Sequence, residues 1–257
     1  MNKLIFTLLI ILPSLILAQE KTIQNVANYN VNINMGMSTS IDYSLFFNKN
    51  FSLFYQKNKN ESNKNETTTK QNFIEEYINS MPPSPERFYY KKSNSNSIYY
   101  NDQTLQRTYD IVDHDISYDW KISNETKKVG NFSCIKATTR FRGRDYTAYF
   151  TTDIPLPFGP NKWFGLPGLI LEIYDNDYLY HAQVATIHLG TINTILNDLH
   201  KEVNNKNFIT HKTFLKKVCE DKDEFASIMQ SRLPKGISNF TAHTPSNPLE
   251  IIEIPCN

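Results

Sequence analysis

Between Gly159 and Ile170 the chain reads Gly-Pro-Asn-Lys-Trp-Phe-Gly-Leu-Pro-Gly-Leu-Ile. Three of its eight glycines fall within these twelve residues, with two prolines, Pro160 and Pro167. Glycine permits positive φ and close backbone approach, whereas proline fixes φ and removes a donor. A run this dense in both is a specified path. Trp163, Phe164, Leu166, Leu169 and Ile170 give it apolar weight, and Leu169 to Tyr174 then reads as a strand. Two readings stay open. The stretch is either a buried crossover whose aromatics seal one end of a β core, with Gly159, Pro160, Gly165 and Gly168 as its structural residues, or a rigid docking lip built on Trp163, Phe164, Leu166 and Pro167.

The rest of the chain supports a β-rich fold. Fifteen Tyr and sixteen Phe favour sheet. Tyr43, Leu45, Phe47 and then Phe51, Leu53, Tyr55 alternate around an Asn48-Lys49-Asn50 turn, which predicts a hairpin. Further strands are expected at 88–90, 98–100, 105–115, 116–122, 125–129, 132–141, 146–151, 169–174 and 178–189, joined by tight turns. Residues 19–30 read as a polar entry, and Asn30 to Phe54 carries apolar and polar alternation. Thr210 caps a helix expected to run to about Glu220, a second is expected over 221–229, and residues 247–254 look like a closing strand. The fold class is mainly β (α+β): a meandering antiparallel sheet with short C-terminal helices.

Residues 1–18 carry Lys3, an apolar run from Leu4 to Leu17 and a small residue, Ala18, which describes a secretory signal peptide. Residues 19–257 then form one domain, with a mobile loop at 56–72, where no apolar residue occurs. Removing residues 1–18 takes one Lys and leaves 26 basic against 26 acidic side chains. A neutral chain argues against nucleic acid as the main partner, and no later stretch is long enough to cross a bilayer. The expected location is periplasmic, outer-membrane associated or secreted. Cys134, Cys219 and Cys256 offer one disulfide in an oxidising compartment, and Cys219 with Cys256 is the expected pair. Cys134, within a strand, reads as a small buried hydrophobe.

The chemistry-bearing candidates are few. Asp113 and Asp115 share a strand face and His114 takes the other, so the pair of carboxylates could act as acid and base while solvated strand-end acids are the simpler alternative. Arg140, Arg142 and Arg144 alternate and could take an anion or decorate an outer face. No Gly-x-Ser-x-Gly, His-Glu-x-x-His or zinc spacing occurs, and no cofactor or metal is expected.

Glu125 to Ala137, Phe141-Arg142-Gly143-Arg144, Tyr149 to Pro155, Gly159-Pro160 and Gly165 to Ile170 together resemble the GLPGLI family of secreted Bacteroidetes proteins, first noted in Porphyromonas. The pattern departs at Asn161-Lys162-Trp163, where the family places an aromatic directly after Gly-Pro. The resemblance implies an envelope or secreted location, a β-rich fold and no established activity. The strand order is also similar to lipoprotein-carrier half-barrels of the LolA/LolB type, a likeness of fold alone. Three functions follow as expectations: a binding or carrier protein with an apolar ligand inside a curved sheet; an accessory partner of an envelope or secretion complex docking through the Gly/Pro loop; and a hydrolase using Asp113, His114 and Asp115.

Overall fold

The computed structural model describes residues 23–34, 38–56, 86–104, 107–114, 116–192 and 201–232. The signal segment, the 56–72 loop beyond Gln56, Asp115, the strand expected at 247–254 and Cys256 lie outside the described residues.

Among the described residues twelve strands form one open sheet. In chain order they are β1 (Ile23–Asn34), β2 (Ser38–Phe47), β3 (Phe51–Tyr55), β4 (Phe88–Lys92), β5 (Ile98–Gln103), β6 (Thr108–Asp113), β7 (Lys121–Val129), β8 (Phe132–Phe141), β9 (Arg144–Thr151), β10 (Leu169–Asp175), β11 (Tyr180–Ile192) and β12 (Ile209–Thr210). A helix, α1 (His211–Arg232), follows β12. The spatial order is β12-β6-β5-β4-β3-β2-β1-β11-β10-β9-β8-β7, so β12 and β7 are the edges. Every pairing is antiparallel except β12 on β6, which is parallel. The expected antiparallel pairing therefore holds for eleven strands, as two meanders, β1–β6 and β7–β11, joined where β1 pairs with β11.

Alternation explains the pairing. The predicted β2–β3 hairpin forms around Asn48, whose side chain accepts from the backbone N–H of Asn50 (2.8 Å) and Phe51 (3.1 Å), an Asx turn. Residues 23–30, expected as part of a polar entry, belong to β1 (Ile23–Asn34) instead. Asn28, Asn30 and Asn32 point outward on period two, and Ala27, Tyr29 and Val31 are buried on the other face. Asn is a poor strand former alone, but the Asn28 and Asn30 amides find cross-strand partners, Thr186 (2.8 Å) and Ser40 (2.8 Å).

The inner face carries the main core: Tyr29, Leu45, Phe54, Tyr146, Phe150 and Tyr180, each at most 1% exposed, among others. A second cluster of Phe51, Leu53, Phe88, Tyr90 and Val203 lies on the opposite face of β3–β5, covered by residues 203–208. Both faces of β3 are thus buried.

Two further expectations are corrected. Residues 116–120 are irregular rather than a strand, because their aromatics brace the Gly/Pro loop. The two C-terminal helices expected at 210–220 and 221–229 are one, α1. No Gly or Pro interrupts it at Asp221, and that carboxylate is buried, accepting from Thr104 Oγ1. Thr210 caps it as expected, accepting from Thr213 N–H at 3.2 Å.

Candidate functional site

The loop from Ile154 to Gly168 folds onto itself through backbone bonds. Gly165 N–H donates to Pro157 C=O (3.1 Å), Ile170 N–H to Phe158 C=O (2.9 Å) and Leu169 N–H to Ile154 C=O (3.0 Å). Gly165 has φ +91°, a value side-chain-bearing residues rarely adopt. Gly168 needs no positive φ; its demand is space, since an added Cβ would sit 2.0 Å from Thr151 O. Gly159 is pressed likewise against Ile170, at 2.9 Å, and Pro160 is buried beside it.

Trp163, Phe164 and Leu166 are 2%, 7% and 1% exposed, while Pro167 is exposed. The docking face expected here is thus turned inward: Trp163 stands 4.3 Å from the Tyr146 ring and 5.0 Å from Tyr118 between ring centroids. Trp120 Nε1–H donates to Phe164 C=O and the Tyr118 hydroxyl to Lys162 C=O, both at 2.9 Å. The loop is a plug that fills the concavity of the sheet.

Under the plug lies a charged cluster centred on Asp113, itself 3% exposed. Arg142 Nη2 donates to Asp113 Oδ1 at 2.8 Å, and Lys162 Nζ to Oδ2 at 3.3 Å. His211 Nε2 accepts from Arg142 Nη1 at 3.1 Å, which makes the ring neutral with its Nδ1–H directed to Tyr100 Oη at 2.7 Å. Burial alone would raise the Asp113 carboxyl; the Arg142 hydrogen bond and the Lys162 charge outweigh it and hold it below the ordinary range. The backbone is bent to deliver both cations: Arg142 has φ +43°, and Asn161, which precedes Lys162, has φ +51°. The Asn161-Lys162-Trp163 departure noted in the sequence is therefore the segment that supplies the buried lysine.

The acidic candidates do not assemble. Asp113 is engaged by Arg142 and Lys162, whereas His114 is exposed and bonds Ser97 Oγ at 3.0 Å. Of the three alternating arginines, Arg140 pairs with Asp145 on the surface and Arg144 with buried Asp175. Among the described residues no group of His, Cys, Asp and Glu forms a metal site. Cys134 is a free, buried thiol and Cys219 is disulfide-bonded.

Sequence reasoning passed over a second cluster, on the outer face. Tyr174 and Tyr178 stack at 4.7 Å with 10° between planes, and the His181 ring stands edge-on to both. His181 Nε2 lies 3.1 Å from Glu172 Oε1; Lys127 pairs with the same carboxylate and sits 3.9 Å above the Tyr149 ring. Burial would raise Glu172, but the His181 and Lys127 hydrogen bonds lower it. Register was the missing signal: Glu172 is opposite Tyr149, and Tyr174 opposite His181, only once β10 is paired on both sides.

A family model described as "Protein of unknown function (Porph_ging)" matches residues 141–172, the stretch from the Arg142 turn through the plug into β10. No curated protein matches the chain. Two solved structures of PNGF-II, in C2 and P21 space groups, are similar at TM-scores of 0.52 and 0.53 with 14% and 12% identity. Each match covers 78% of this chain and 34% of the other, so this chain spans about a third of that protein's length. At such identities the likeness is one of fold. No helix among the described residues is long and apolar enough to cross a membrane.

Proposed function

We propose that the protein is an exported, non-catalytic binding protein of the GLPGLI type that meets its partner with the outside of its sheet. The carrying observation is the filled interior: Trp163, Phe158 and Leu166 from the plug pack among Tyr29, Tyr146 and Tyr180 in one core. That packing speaks against an apolar ligand held inside, and the inward Trp163 and Phe164 speak against docking through the loop. The separation of Asp113 from His114 gives no support to a hydrolase. Export rests on the Lys3 to Ala18 segment, and GLPGLI membership on the motifs from Glu125 to Ile170.

The test places a photoreactive residue at Gln183, exposed on the outer face, and at Glu224, exposed on α1. Crosslinking is done in the native envelope. A discrete adduct from Gln183 and none from Glu224 is expected. The reverse pattern, or a stoichiometric small ligand carried by the purified protein in native mass spectrometry, would overturn the reading.

A further inference from the structure

We infer that the outer face of β8–β11, β1 and β2 is a binding site for an uncharged carbohydrate chain, with Tyr178 as its stacking platform. The inference rests on the outward-facing reading above and names its ligand class. Tyr178 is 54% exposed at the tip of the β10–β11 turn and has φ +53°. One ring face lies on Tyr174 and the edge is held by His181, which leaves the other ring face as a fixed, flat apolar surface. A sugar ring presents its C–H bonds on one side and hydroxyls around its rim. The first pack on an aromatic face, whose negative quadrupole favours C–H edges, and the second need short polar side chains beside it.

Those side chains are in place. Cross-strand pairing sets Ser40, Asn32, His181, Tyr174, Thr147 and Thr138 in one row on the outer face; Tyr174 lies under Tyr178 and Thr147 is buried, which leaves Ser40, Asn32, His181 and Thr138 to meet a ligand. Six adjacent strands at ~4.8 Å spacing make that row about 24 Å long, room for several sugar rings in line. Amides and hydroxyls both donate and accept, as a polyol requires. Asn30 and Gln183 continue the same chemistry in the neighbouring row.

Charge and apolar content decide against the other ligand classes. Among the described residues Lys127 pairs with Glu172, Lys136 with Glu125 and Arg140 with Asp145, and a single lysine, Lys121 of the edge strand opposite Thr138, ends the row, too little positive charge for a polyanion or an anionic lipid surface. A protein interface needs a contiguous apolar centre. The large hydrophobics exposed among the described residues are Ile122, Tyr178 and Leu189, on separate elements. One aromatic ring amid paired polar groups suits a sugar and falls short of a protein hot spot.

Isothermal titration of the full mature chain with four neutral hexasaccharides, of glucose in β-1,4 and α-1,4 linkage, of mannose and of N-acetylglucosamine, tests the assignment. Binding of at least one is expected, weakened tenfold or more by Tyr178→Ala and retained within twofold by Tyr178→Phe, which keeps the ring. Both variants should melt with the wild type, as an exposed turn residue allows; Asn32→Ala provides a second reading on a strand. If no hexasaccharide binds, or Tyr178→Ala binds as wild type, the assignment is overturned. A protein adduct at position 183 without sugar binding would overturn the carbohydrate alone and leave the outward-facing reading; neither adduct nor sugar would overturn both.

Discussion

Arg142 Nη2 stands 2.8 Å from Asp113 Oδ1, although β8 and β6 are each next to an opposite edge of the sheet. The contact is possible only because the sheet curls until its two ends face each other. Lys162, from the plug, donates to the second oxygen of the same carboxylate. Asp113 therefore ties together β6, the β8–β9 turn and the plug, three parts with no hydrogen-bonded strand pairing between them.

Replacing Asp113 by Ala strands buried cationic groups and is expected to cost about 3–5 kcal/mol, the usual range for breaking a buried pair. Urea unfolding gives the number. The pH dependence carries a sign. The folded carboxyl titrates below its ordinary 3.8, so its stabilising contribution is full above that pH and is lost as pH falls through the folded value. The stability gap between wild type and Asp113→Asn should thus be constant above about pH 5 and close on acidification toward pH 2. A gap that widens in acid would reverse the account.

Gly168→Ala tests the plug. Its Cβ would meet the Thr151 carbonyl at 2.0 Å, against backbone that cannot rotate away, and overpacking of this kind costs at least ~1–3 kcal/mol. Gly165→Ala has room, with Trp120 3.8 Å away, and bears only the φ +91° strain, about 1–3 kcal/mol. Gly168→Ala should lower the melting temperature more than Gly165→Ala. Equal shifts would show that space is not what Gly168 supplies.

Much of this architecture is legible in the sequence, and what is not has a physical cause. Tyr43-x-Leu45-x-Phe47 and Phe51-x-Leu53-x-Tyr55 reveal a hairpin, yet their pairing places Leu45 and Leu53 on opposite faces, because the second core on β3–β5 makes both faces apolar. β1 was hidden by its asparagines, which a propensity argument discounts and which cross-strand partners rescue. The Gly/Pro plug announces itself through composition. Asp113, by contrast, was legible as a candidate acid but not as an anchor, since Arg142, Lys162 and His211 approach it from 29, 49 and 98 residues away in sequence. The Tyr174–Tyr178–His181 group straddles a turn and gains meaning only from register.

Lys91 gives a second pH signature. It is buried with its ammonium 3.8 Å above the Phe164 ring and donating to the Ser95 and Lys92 carbonyls, and burial pushes its pKa down to about 8. Between that value and the ordinary 10.5 the unfolded chain holds a proton that the folded chain lacks, so this residue makes stability rise with pH across the interval. Lys91→Met should lack the rise, so wild type should gain stability relative to the variant from pH 8 to pH 10 in chemical denaturation. A difference that is flat across the interval would remove Lys91 from the alkaline behaviour.

Cys134 should be silent to thiol reagents in the folded protein. It has no exposed surface, and burial pushes its thiol up to about 11, so at pH 8 both access and thiolate are scarce. Cys219, in a disulfide, contributes no thiol. Titration with an aromatic disulfide reagent at pH 8 is expected to label Cys134 at least a hundredfold more slowly in buffer than in 6 M guanidinium, and the buffer rate should track global unfolding. Because Cys134 lies on β8, opposite Lys127 of the edge strand, the same rate reports whether β7 opens by itself. Labelling faster than global unfolding, insensitive to Gly168→Ala, would mean that β7 frays while the plug holds, and the two ends of the curled sheet would then be stabilised independently.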